Sequence, residues 1–423
     1  MWTIRQYVEG VLEALYRRSP SRLKDHLCLE PSLYDAAETA NCGDLSDIDL
    51  YQLPEKFRPL IRSYVRLLRS IYKHKSIDQA FENFLLFMGD FNRMAETMPS
   101  WVCTALISSS NELLSVYQVR ARNKDKAEND ESLERVSTVI HRSFKICLTD
   151  KSTDPATSKK SCIHFFLASL IKIYFKLDHI DLAKSMEKAL MGTNSAIPAI
   201  INCPAQYRMH VVTYLYYSSL LSLDDGDYPF AEVKLLTALE FLACYGSKKR
   251  PCPQEEKILM LVVPLKYLSS RKQLPEKVYE QFPNLKFIYK DRLLKAVKQG
   301  NISAFDDYLQ QFHKVFLSRH IYLLALRLKQ VCYLSLVRKT ANFYKTVTET
   351  TPHIVPFAYF QAAFTYSQSP DAEAKEEVSM EQVECILTNL IVHKHVKGYL
   401  SHSNKCIVLS KTDAFPAPAP ASS

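Results

Sequence analysis

The stretch that decides the fold is SMEQVECILTNLIVHKHVKGYLSHSNKCIVLS, residues 379–410. Ser379 and Gln382 stand at the spacing of a capping box, which marks the N-terminus of a helix. The apolar residues that follow recur at the spacing of one helix face: Val383, Ile386, Leu387, Leu390 and Ile391. Residues 396–401 and 406–410 instead alternate like two strands around a short turn. The stretch predicts one helix followed by a β-hairpin.

The residues just upstream predict the other half of the same small domain. Ile354-Val355 is predicted to be extended, and Pro356 suits the first turn of a helix that ends near Phe364. Helix, helix and hairpin within about 60 residues is the layout of a winged helix, which we predict over residues 351–411. Residues 412–423 are rich in proline and are predicted to be a disordered Pro/Ala tail.

Helix pairs with short polar turns precede this region. Residues 164–176 and 180–190 flank one turn, and residues 209–223 and 230–244 flank another. Repeated helix–turn–helix units that bury their apolar faces on one another indicate an α-solenoid of tetratricopeptide (TPR-like) type. The predicted fold class is therefore mainly α: an α-solenoid of TPR-like helix pairs followed by a C-terminal winged helix with a small β-hairpin.

Several positions predict local geometry along the repeats. Pro264, inside an apolar run, predicts a helix that is kinked or interrupted. Gly300 and Asn301 predict a C-terminal cap and an N-cap between helices over 293–297 and 305–316. A long helix is predicted over 321–343. The polar, mixed-charge residues 120–130 predict a solvated loop and the first domain boundary.

Composition excludes several classes of protein. Only 8 of 423 residues are glycine, far below the average usage of about 7%, so phosphate-binding loops and dinucleotide folds are nearly excluded. The eleven cysteines form no C-x-x-C pair, and Cys147, Cys332 and Cys385 are predicted to be small core residues. We expect a reduced intracellular protein without a membrane span.

The positive charge is concentrated in one part of the chain. The formal net charge is +9, but residues 248–345 hold 20 Lys/Arg and 7 Asp/Glu, so the remainder is slightly acidic. Such a basic region favours polyanions or acidic proteins as partners; a solvated helix surface without a ligand is the alternative.

The sequence offers weak candidates for chemistry. His393, His395, His402 and Cys406 lie close together in sequence, but a zinc site needs three or four convergent ligands, and surface histidines at a turn are the better interpretation. There is no G-x-S-x-G elbow and no cysteine in a recognisable catalytic context. We therefore predict no enzyme, no metal and no cofactor.

The basic winged helix is the predicted functional site. Its candidate nucleic-acid-binding residues are Arg338, Lys339, Lys394, Lys397, Lys405 and Lys411. Lysines of this density can sit on successive phosphates and give affinity without sequence readout. The competing interpretation is that the same face docks another protein by strand addition at the hairpin edge. The two can coexist.

Several segments carry a resemblance to a known family. They are HRSFKICL (141–148), IYFKL (173–177), KILMLVVPL (257–265), Gly300-Asn301 with Phe305, and KGYLSH (397–402) with VLSK (408–411). With the order of elements, they resemble the PCI domain of proteasome-lid, COP-nine signalosome and initiation-factor subunits. Within that group the chain is similar, over about residues 131–416, to the signalosome-associated subunit-twelve family, relatives of the PCI subunit of the nuclear transcription-and-export complex.

The resemblance implies a domain organisation. An N-terminal helical region over 1–130 is followed by helical repeats over 131–208. The PCI domain then spans 209–411, with repeats over 209–350 and the winged helix over 351–411. Lys394 stands where we expect the family to favour glycine, and a left-handed lysine costs about 1 kcal/mol.

The resemblance also implies a function. It implies a non-catalytic scaffold, in the nucleus and cytoplasm, that links transcription elongation, mRNA processing and mRNA export and binds RNA or double-stranded DNA weakly through the winged helix. The implied protein partners are a second PCI-domain protein and a small acidic proteasome-lid-type subunit. The alternative is a COP-nine signalosome subunit that supports cullin deneddylation by another subunit.

Overall fold

The computed structural model describes residues 4–41, 45–152, 154, 157–192, 203–246, 251–348, 352–368 and 377–418. The chain divides into two compact units, Met1–Leu221 and Ser222–Ser423. The domain boundaries expected at residues 130, 208 and 350 stay predictions, because this division reflects compactness alone. Of the predicted tail, residues 419–423 lie outside the described residues.

The first unit consists of helices that pack on their neighbours in chain order. They are α1 (Ile4–Tyr16), α2 (Pro20–His26), α3 (Ala36–Ala40), α4 (Arg58–Tyr72), α5 (Ile77–Thr97), α6 (Cys103–Ala121), α7 (Lys126–Leu148), α8 (Ile163–Leu177), α9 (Ile180–Gly192) and α10 (Arg208–Asp224), whose last residues cross the boundary. Helix α4 packs on α5, α5 on α6 and α7, α7 on α8, and α8 on α9. Packing of each helix on the next is the pattern of an α-solenoid.

Helix α5 provides the aromatic core of this unit. Phe81, Phe84, Phe87 and Phe91 recur every three or four residues, so they share one helix face, and all four are fully buried. Phe87 lies 5.8 Å from both Phe84 and Phe91 between ring centroids, in tilted geometry. Each buried ring contributes on the order of 2–3 kcal/mol by removing apolar surface from water, so this face holds α5 against α4 and α7.

The loop predicted over residues 120–130 is mostly helix. Helix α6 continues to Ala121 and α7 begins at Lys126, so only residues 122–125 connect them. Arg120, expected in solvent, is buried: its guanidinium donates to Asp78 (2.7 Å), Glu128 (2.8 Å) and Ser132 (2.7 Å). Arg120 is therefore satisfied largely by residues from outside the segment, Asp78 and Ser132, and the polar composition of 120–130 alone was misleading.

The second unit begins with helices that lead to the C-terminal domain. They are α11 (Tyr228–Tyr245), α12 (Pro253–Ser270), α13 (Glu276–Gln281), α14 (Pro283–Leu285), a π-helical segment (Lys286–Leu293), α15 (Leu294–Gln299), α16 (Ile302–Gln311), α17 (His313–Ser318) and α18 (Tyr322–Val347). The predicted helix over 305–316 is divided at Phe312, where α16 ends and α17 starts. The π-helical segment was not predicted.

The turn between α15 and α16 has the predicted caps. Gly300 adopts a left-handed φ of +69°, and the side chain of Asn301 accepts a hydrogen bond from the amide of Ala304 at 3.0 Å. Glycine is required at this position for a second reason: a Cβ there would lie 2.9 Å from the backbone of Leu336 on α18. The absence of a side chain at Gly300 therefore allows α15 to approach α18 closely.

Helix α12 continues through Pro264, so of the two predicted outcomes the interruption is wrong, and the kink stays a prediction. Proline has no N–H to donate to the carbonyl four residues earlier, which is that of Met260. The hydroxyl of Tyr289, in the π-helical segment, donates to the Met260 oxygen at 2.7 Å. A side chain from outside the helix therefore satisfies the acceptor that the proline leaves open.

A winged helix follows α18. It comprises β1 (Ile354–Pro356), α19 (Phe357–Gln368), α20 (Met380–Val392), β2 (Gly398–Ser401) and β3 (Cys406–Leu409). The sheet order is β1-β3-β2, antiparallel throughout, so the central strand is the last in sequence. Pro356 ends β1 rather than lying in α19, and the capping box of Ser379 and Gln382 is present at α20. The predicted fold class, a helical solenoid with a C-terminal winged helix, is confirmed.

Two further predictions concern burial and membrane spans. Cys147 and Cys332 are buried as predicted, but Cys385 is exposed. The buried residues of α20 include Val383 and Leu387, and at 100° per residue position 385 points away from that face. Among the described helices, none combines the length and the apolar character needed to cross a membrane.

Candidate protein-interaction site

The sheet of the winged helix presents an edge strand. Strand β3 lies between β1 and β2 and carries buried side chains, among them Ile407. Strand β2 pairs with β3 on one side only, so within the described sheet its other edge lacks a strand neighbour. Tyr399, in the middle of β2, is 64% exposed. An exposed edge with a large aromatic residue can pair with a strand of another chain.

The predicted basic residues of α18 are both on the surface. Arg338 and Lys339 are exposed and lie in the second half of the helix. The ammonium of Lys339 donates to the carbonyl of Gln299 at 2.9 Å. Gln299 is the last residue of α15, so Lys339 places a positive charge at the carbonyl end of that helix, where a cation is stabilising.

The four lysines of the wing are exposed, but the structure divides them. Lys397 precedes β2 and Lys411 follows β3, and the amide of Ser410 donates to the carbonyl of Lys397 at 2.9 Å, so these two lie at one end of the hairpin. Lys405 lies in the turn at the other end, roughly 10 Å away along four-residue strands. Lys397 is paired with Asp413 at 2.7 Å. These three lysines are therefore divided between the two ends of the hairpin, and one of them is neutralised by a carboxylate.

Two of these lysines take the conformation that favours glycine. Lys394, directly beyond the last turn of α20, has a φ of +58°, and Lys405 has a φ of +49°. The amide of Lys394 donates to the carbonyl of Ile391 at 2.9 Å, which closes the end of the helix. The left-handed backbone expected at position 394 is therefore present, although the residue is lysine.

The histidines near the hairpin have separate surroundings. The Nδ1 atom of His402 lies 2.9 Å from the carboxylate of Glu384. His393 caps α20, and its ring centroid lies 6.2 Å from that of His395. Burial, together with the charges of Arg271 and His393, lowers the pKa of His395 to about 4. Within the described residues, these histidines and Cys406 do not form a group of three or more ligands.

A second surface feature lies between α18 and α19. It is an apolar groove of about 550 Å³, lined by Lys339, Thr340, Phe343, Ala358, Tyr359, Ala362 and Ala363. Phe343 is 61% exposed on its wall. Tyr359 is held by an edge-to-face contact with Tyr344, with ring centroids 4.8 Å apart. Exposed aromatic residues in a groove with one cationic side chain are typical of a protein-docking surface.

Sequence reasoning missed these exposed aromatic residues. The sequence predicts Phe343 and Tyr359 within helices and Tyr399 within an alternating strand, but it does not predict their exposure. A signal was available at Tyr399, because neighbouring positions of a strand face opposite sides. For Phe343 there was none, since the groove exists only where α18 and α19 meet.

Comparisons with known proteins give a consistent set of relatives. The PCI-domain family model matches residues 309–411. A Debaryomyces hansenii protein named "Protein CSN12 homolog" is 40% identical over 98% of this chain and 98% of its own length. The "Cop9 signalosome complex subunit 12" of Saccharomyces cerevisiae is 28% identical over 82% of this chain and 84% of its own length. The "COP9 signalosome complex subunit 12" of Eremothecium gossypii is 28% identical, with 80% and 82% covered.

These names overturn one prediction. The expectation of a scaffold for transcription elongation, mRNA processing and mRNA export, with nucleic-acid binding through the winged helix, is wrong, because the relatives are named as signalosome subunits. The physical reason for the error is that surface lysines attract any polyanion, acidic proteins included. The assignment of the six basic residues to nucleic acid belongs to that interpretation and stays untested.

Proposed function

This chain belongs to the CSN12 family of PCI-domain proteins, and we propose that it is a non-catalytic scaffold subunit of a COP9 signalosome-type complex. In this role it supports the deneddylation of cullins by another subunit. The observation that carries the proposal is the match along 98% of the chain to a protein named as a CSN12 homologue. The exposed edge of β2 and the groove between α18 and α19 are the surfaces that would contact other subunits.

The edge of β2 is the surface that we assign to a second PCI-domain protein. A partner strand beside Gly398–Ser401 would extend the three-stranded sheet by main-chain hydrogen bonds. Tyr399 would supply side-chain area, since tyrosine buries a large ring at low cost in conformational entropy. The four-residue length of β2 limits pairing to a short segment, which protects the free chain from open-ended association.

The groove between α18 and α19 is the surface that we assign to a small acidic subunit. Lys339 on its rim and the excess of positive charge over residues 248–345 favour an acidic chain. Phe343 and Tyr359 provide apolar contacts for such a chain. Charge and apolar area together suit an extended acidic segment with aromatic or aliphatic anchors.

Affinity purification of the tagged chain from its native cell tests membership of the complex. Signalosome subunits, including one with a PCI domain, are expected to co-purify, and deletion of the chain should leave cullins with more NEDD8 attached. Purification without any signalosome subunit would refute the proposal, whatever else is recovered.

Two variants test the surfaces separately. Tyr399→Asp introduces a charge at the β2 edge and is expected to reduce recovery of the second PCI protein at least tenfold. Tyr51→Asp, at a tyrosine of the first unit that is 63% exposed, is the matched control and should leave recovery unchanged. Phe343→Asp should release the small acidic subunit, and Leu323→Asp, exposed on the same helix but outside the groove, should retain it. If a variant and its control lose the partner protein to the same extent, the surface concerned does not bind that partner.

A further inference from the structure

Three cysteines distant in sequence meet in the interior of the first unit. Cys103 is the first residue of α6, Cys147 lies in the last turn of α7, and Cys162 ends the 3-10 turn that precedes α8. Each side chain is at most 1% exposed. The three Sγ atoms lie within 4.8 Å of one another, and those of Cys147 and Cys162 are 3.6 Å apart. The packing of α6, α7 and α8 therefore brings three sulfur atoms to one point.

The spacing of these sulfur atoms fits a shared metal ion. A Zn–S bond of about 2.3 Å places two thiolates of a tetrahedral site about 3.8 Å apart and two thiolates of a trigonal site about 4.0 Å apart. The Cys147–Cys162 separation of 3.6 Å lies just below these values, and the other two separations exceed them by at most about 1 Å, so small side-chain movements bring all three sulfurs within bonding distance. We propose that Cys103, Cys147 and Cys162 bind one thiophilic d10 metal ion, Cu⁺ or Zn²⁺, as thiolates.

The surroundings offer compensation for thiolate charge. The ammonium of Lys159 is buried, and it donates to the carbonyls of Ala95 (2.9 Å) and Glu96 (3.1 Å). The carbonyl of the same residue accepts from the Cys162 thiol at 2.9 Å. Three thiolates with one Cu⁺ carry a charge of −2, and with one Zn²⁺ a charge of −1, so a cation fixed beside the site lowers the cost of burying it.

The three thiols differ in the direction of their pKa shifts when no metal is bound. Hydrogen bonds from Cys147 and then Cys162, with a contribution from the charge of Lys159, hold the pKa of Cys103 well below its usual range. The hydrogen bond to Cys103 is the largest cause of the raised pKa of both Cys147 and Cys162. Metal binding requires the three thiols to lose their protons, so uptake of the ion is coupled to proton release.

The ligand set favours a soft ion. Within the described residues, no histidine or carboxylate joins the three thiols as a further ligand. Thiolates bind both zinc and Cu⁺, but zinc in a structural site takes four ligands, so three thiolates alone suit Cu⁺ better. Cys332 makes a useful contrast: it is equally buried, but its thiol donates to the carbonyl of Ala296 at 3.7 Å, and within the described residues it belongs to no group of three ligands. It therefore supplies the control.

The test uses the full-length chain, reduced and stripped of metal with a chelator. One sample receives one equivalent of Zn²⁺ and another one equivalent of Cu⁺ under a reductant, and bound metal is measured after gel filtration. We expect about one ion per chain, tighter for Cu⁺, and a higher Tm that a chelator reverses. Cys103→Ala, Cys147→Ala and Cys162→Ala should each weaken retention at least tenfold. Cys332→Ala should retain the ion.

Two outcomes overturn the proposal. In the first, the wild-type chain and the Cys162→Ala variant retain the same amount of metal, or neither retains any. The other is a Cys147–Cys162 disulfide that forms in mild oxidant while the reduced chain takes up neither ion. If an alanine variant fails to fold, Cu⁺ added to the reduced wild-type chain decides the question, because coordination of Cu⁺ by several thiolates gives charge-transfer absorption in the ultraviolet. The absence of that absorption refutes the site.

Discussion

The hydroxyl of Tyr289 donates a hydrogen bond of 2.7 Å to the carbonyl of Met260, the acceptor that Pro264 leaves without a helical donor. Tyr289 is fully buried, and its burial raises the pKa of its hydroxyl far above the usual range, so it remains a donor at all accessible pH values. The proline and the tyrosine, 25 residues apart, thus form one structural unit. This pairing explains how a proline can stand inside a buried helix.

Tyr289→Phe is expected to destabilise the chain by about 1–3 kcal/mol, because it leaves a buried carbonyl unsatisfied. Pro264→Ala restores the backbone donor, so the same tyrosine substitution should cost clearly less in that background. Chemical denaturation of the two single variants and the double variant measures the coupling. Additive effects would show that the two residues act independently.

Arg120→Ala should destabilise the chain by about 2 kcal/mol. Its side chain is 10% exposed, binds Asp78 and Glu128, and lies 5.0 Å from the ring of Phe81, so truncation removes packing as well as charge. Arg135→Ala is the matched control. Arg135 also faces Phe81 and binds Glu82, but it is 46% exposed, and we expect a loss below about 1 kcal/mol. Similar losses for the two arginines, measured by urea denaturation, would contradict the buried role of Arg120.

Gly300→Ala is expected to cost about 3 kcal/mol. The substitution combines a left-handed residue, about 1–2 kcal/mol, with a Cβ that would lie 2.9 Å from the backbone of Leu336. Gly226→Ala separates these causes, because Gly226 has a φ of +77° but open space around it. Its cost should be only about 1 kcal/mol. A thermal melt of each variant gives the comparison, and equal losses would mean that the close approach to α18 carries no energetic weight.

Acid should destabilise the first unit through His164. This side chain is buried, and burial, with a contribution from the charge of His210, lowers its pKa to about 4. A histidine whose folded pKa lies below the unfolded value of about 6.5 favours the neutral form. Its contribution is therefore fully present above pH 6.5 and is lost as the pH falls towards 4, by at most about 3 kcal/mol.

His164→Phe should remove that part of the acid sensitivity, because phenylalanine keeps the ring contact with Tyr214, now 5.1 Å between centroids, and does not titrate. Urea denaturation at pH 7, 6 and 5 measures the slope of stability with pH. His74→Phe, at an exposed histidine, serves as the reference. A slope between pH 7 and 5 as steep in His164→Phe as in the wild-type chain would rule out this origin.

Lys394→Gly should stabilise the winged helix by about 0.5–1 kcal/mol. The residue already has a φ of +58°, where glycine has no steric penalty, and part of the gain is offset by the greater freedom of glycine in the unfolded chain. Lys394→Ala removes the same charge and keeps the strain, so it should show no such gain. Hydrogen exchange of the amides in β2 and β3 reports the difference.

Elements with a periodic pattern or a recognisable cap could be predicted from the sequence. The apolar stripe and capping box of α20 and the glycine cap at Gly300 are local signals, and the structure has both. Arg120 and Pro264 show where prediction failed. The buried arginine depends on Asp78, 42 residues away, and the continuous helix at Pro264 depends on Tyr289. Partners that distant leave no local trace in the sequence.

The candidate sites follow the same division. The strand that carries Tyr399 was predictable from alternation, whereas the groove at Phe343 and the group of three cysteines arise from helices that meet only in the fold. Cys103, Cys147 and Cys162 have no motif spacing, so each was indistinguishable from an ordinary core cysteine such as Cys332.

The order of the sheet fixes where an isolated C-terminal fragment can begin. Strand β1 precedes α19, yet it pairs with the last strand of the chain, and the amide of Phe357 donates to the carbonyl of Lys405 at 2.8 Å. A recombinant fragment that started at α19 would lack β1. It would therefore expose the edge of β3 that pairs with β1, together with the apolar side chain of Ile407, and would tend to aggregate. Truncation for expression should therefore start upstream of Ile354, even though the helices alone would suggest a later cut.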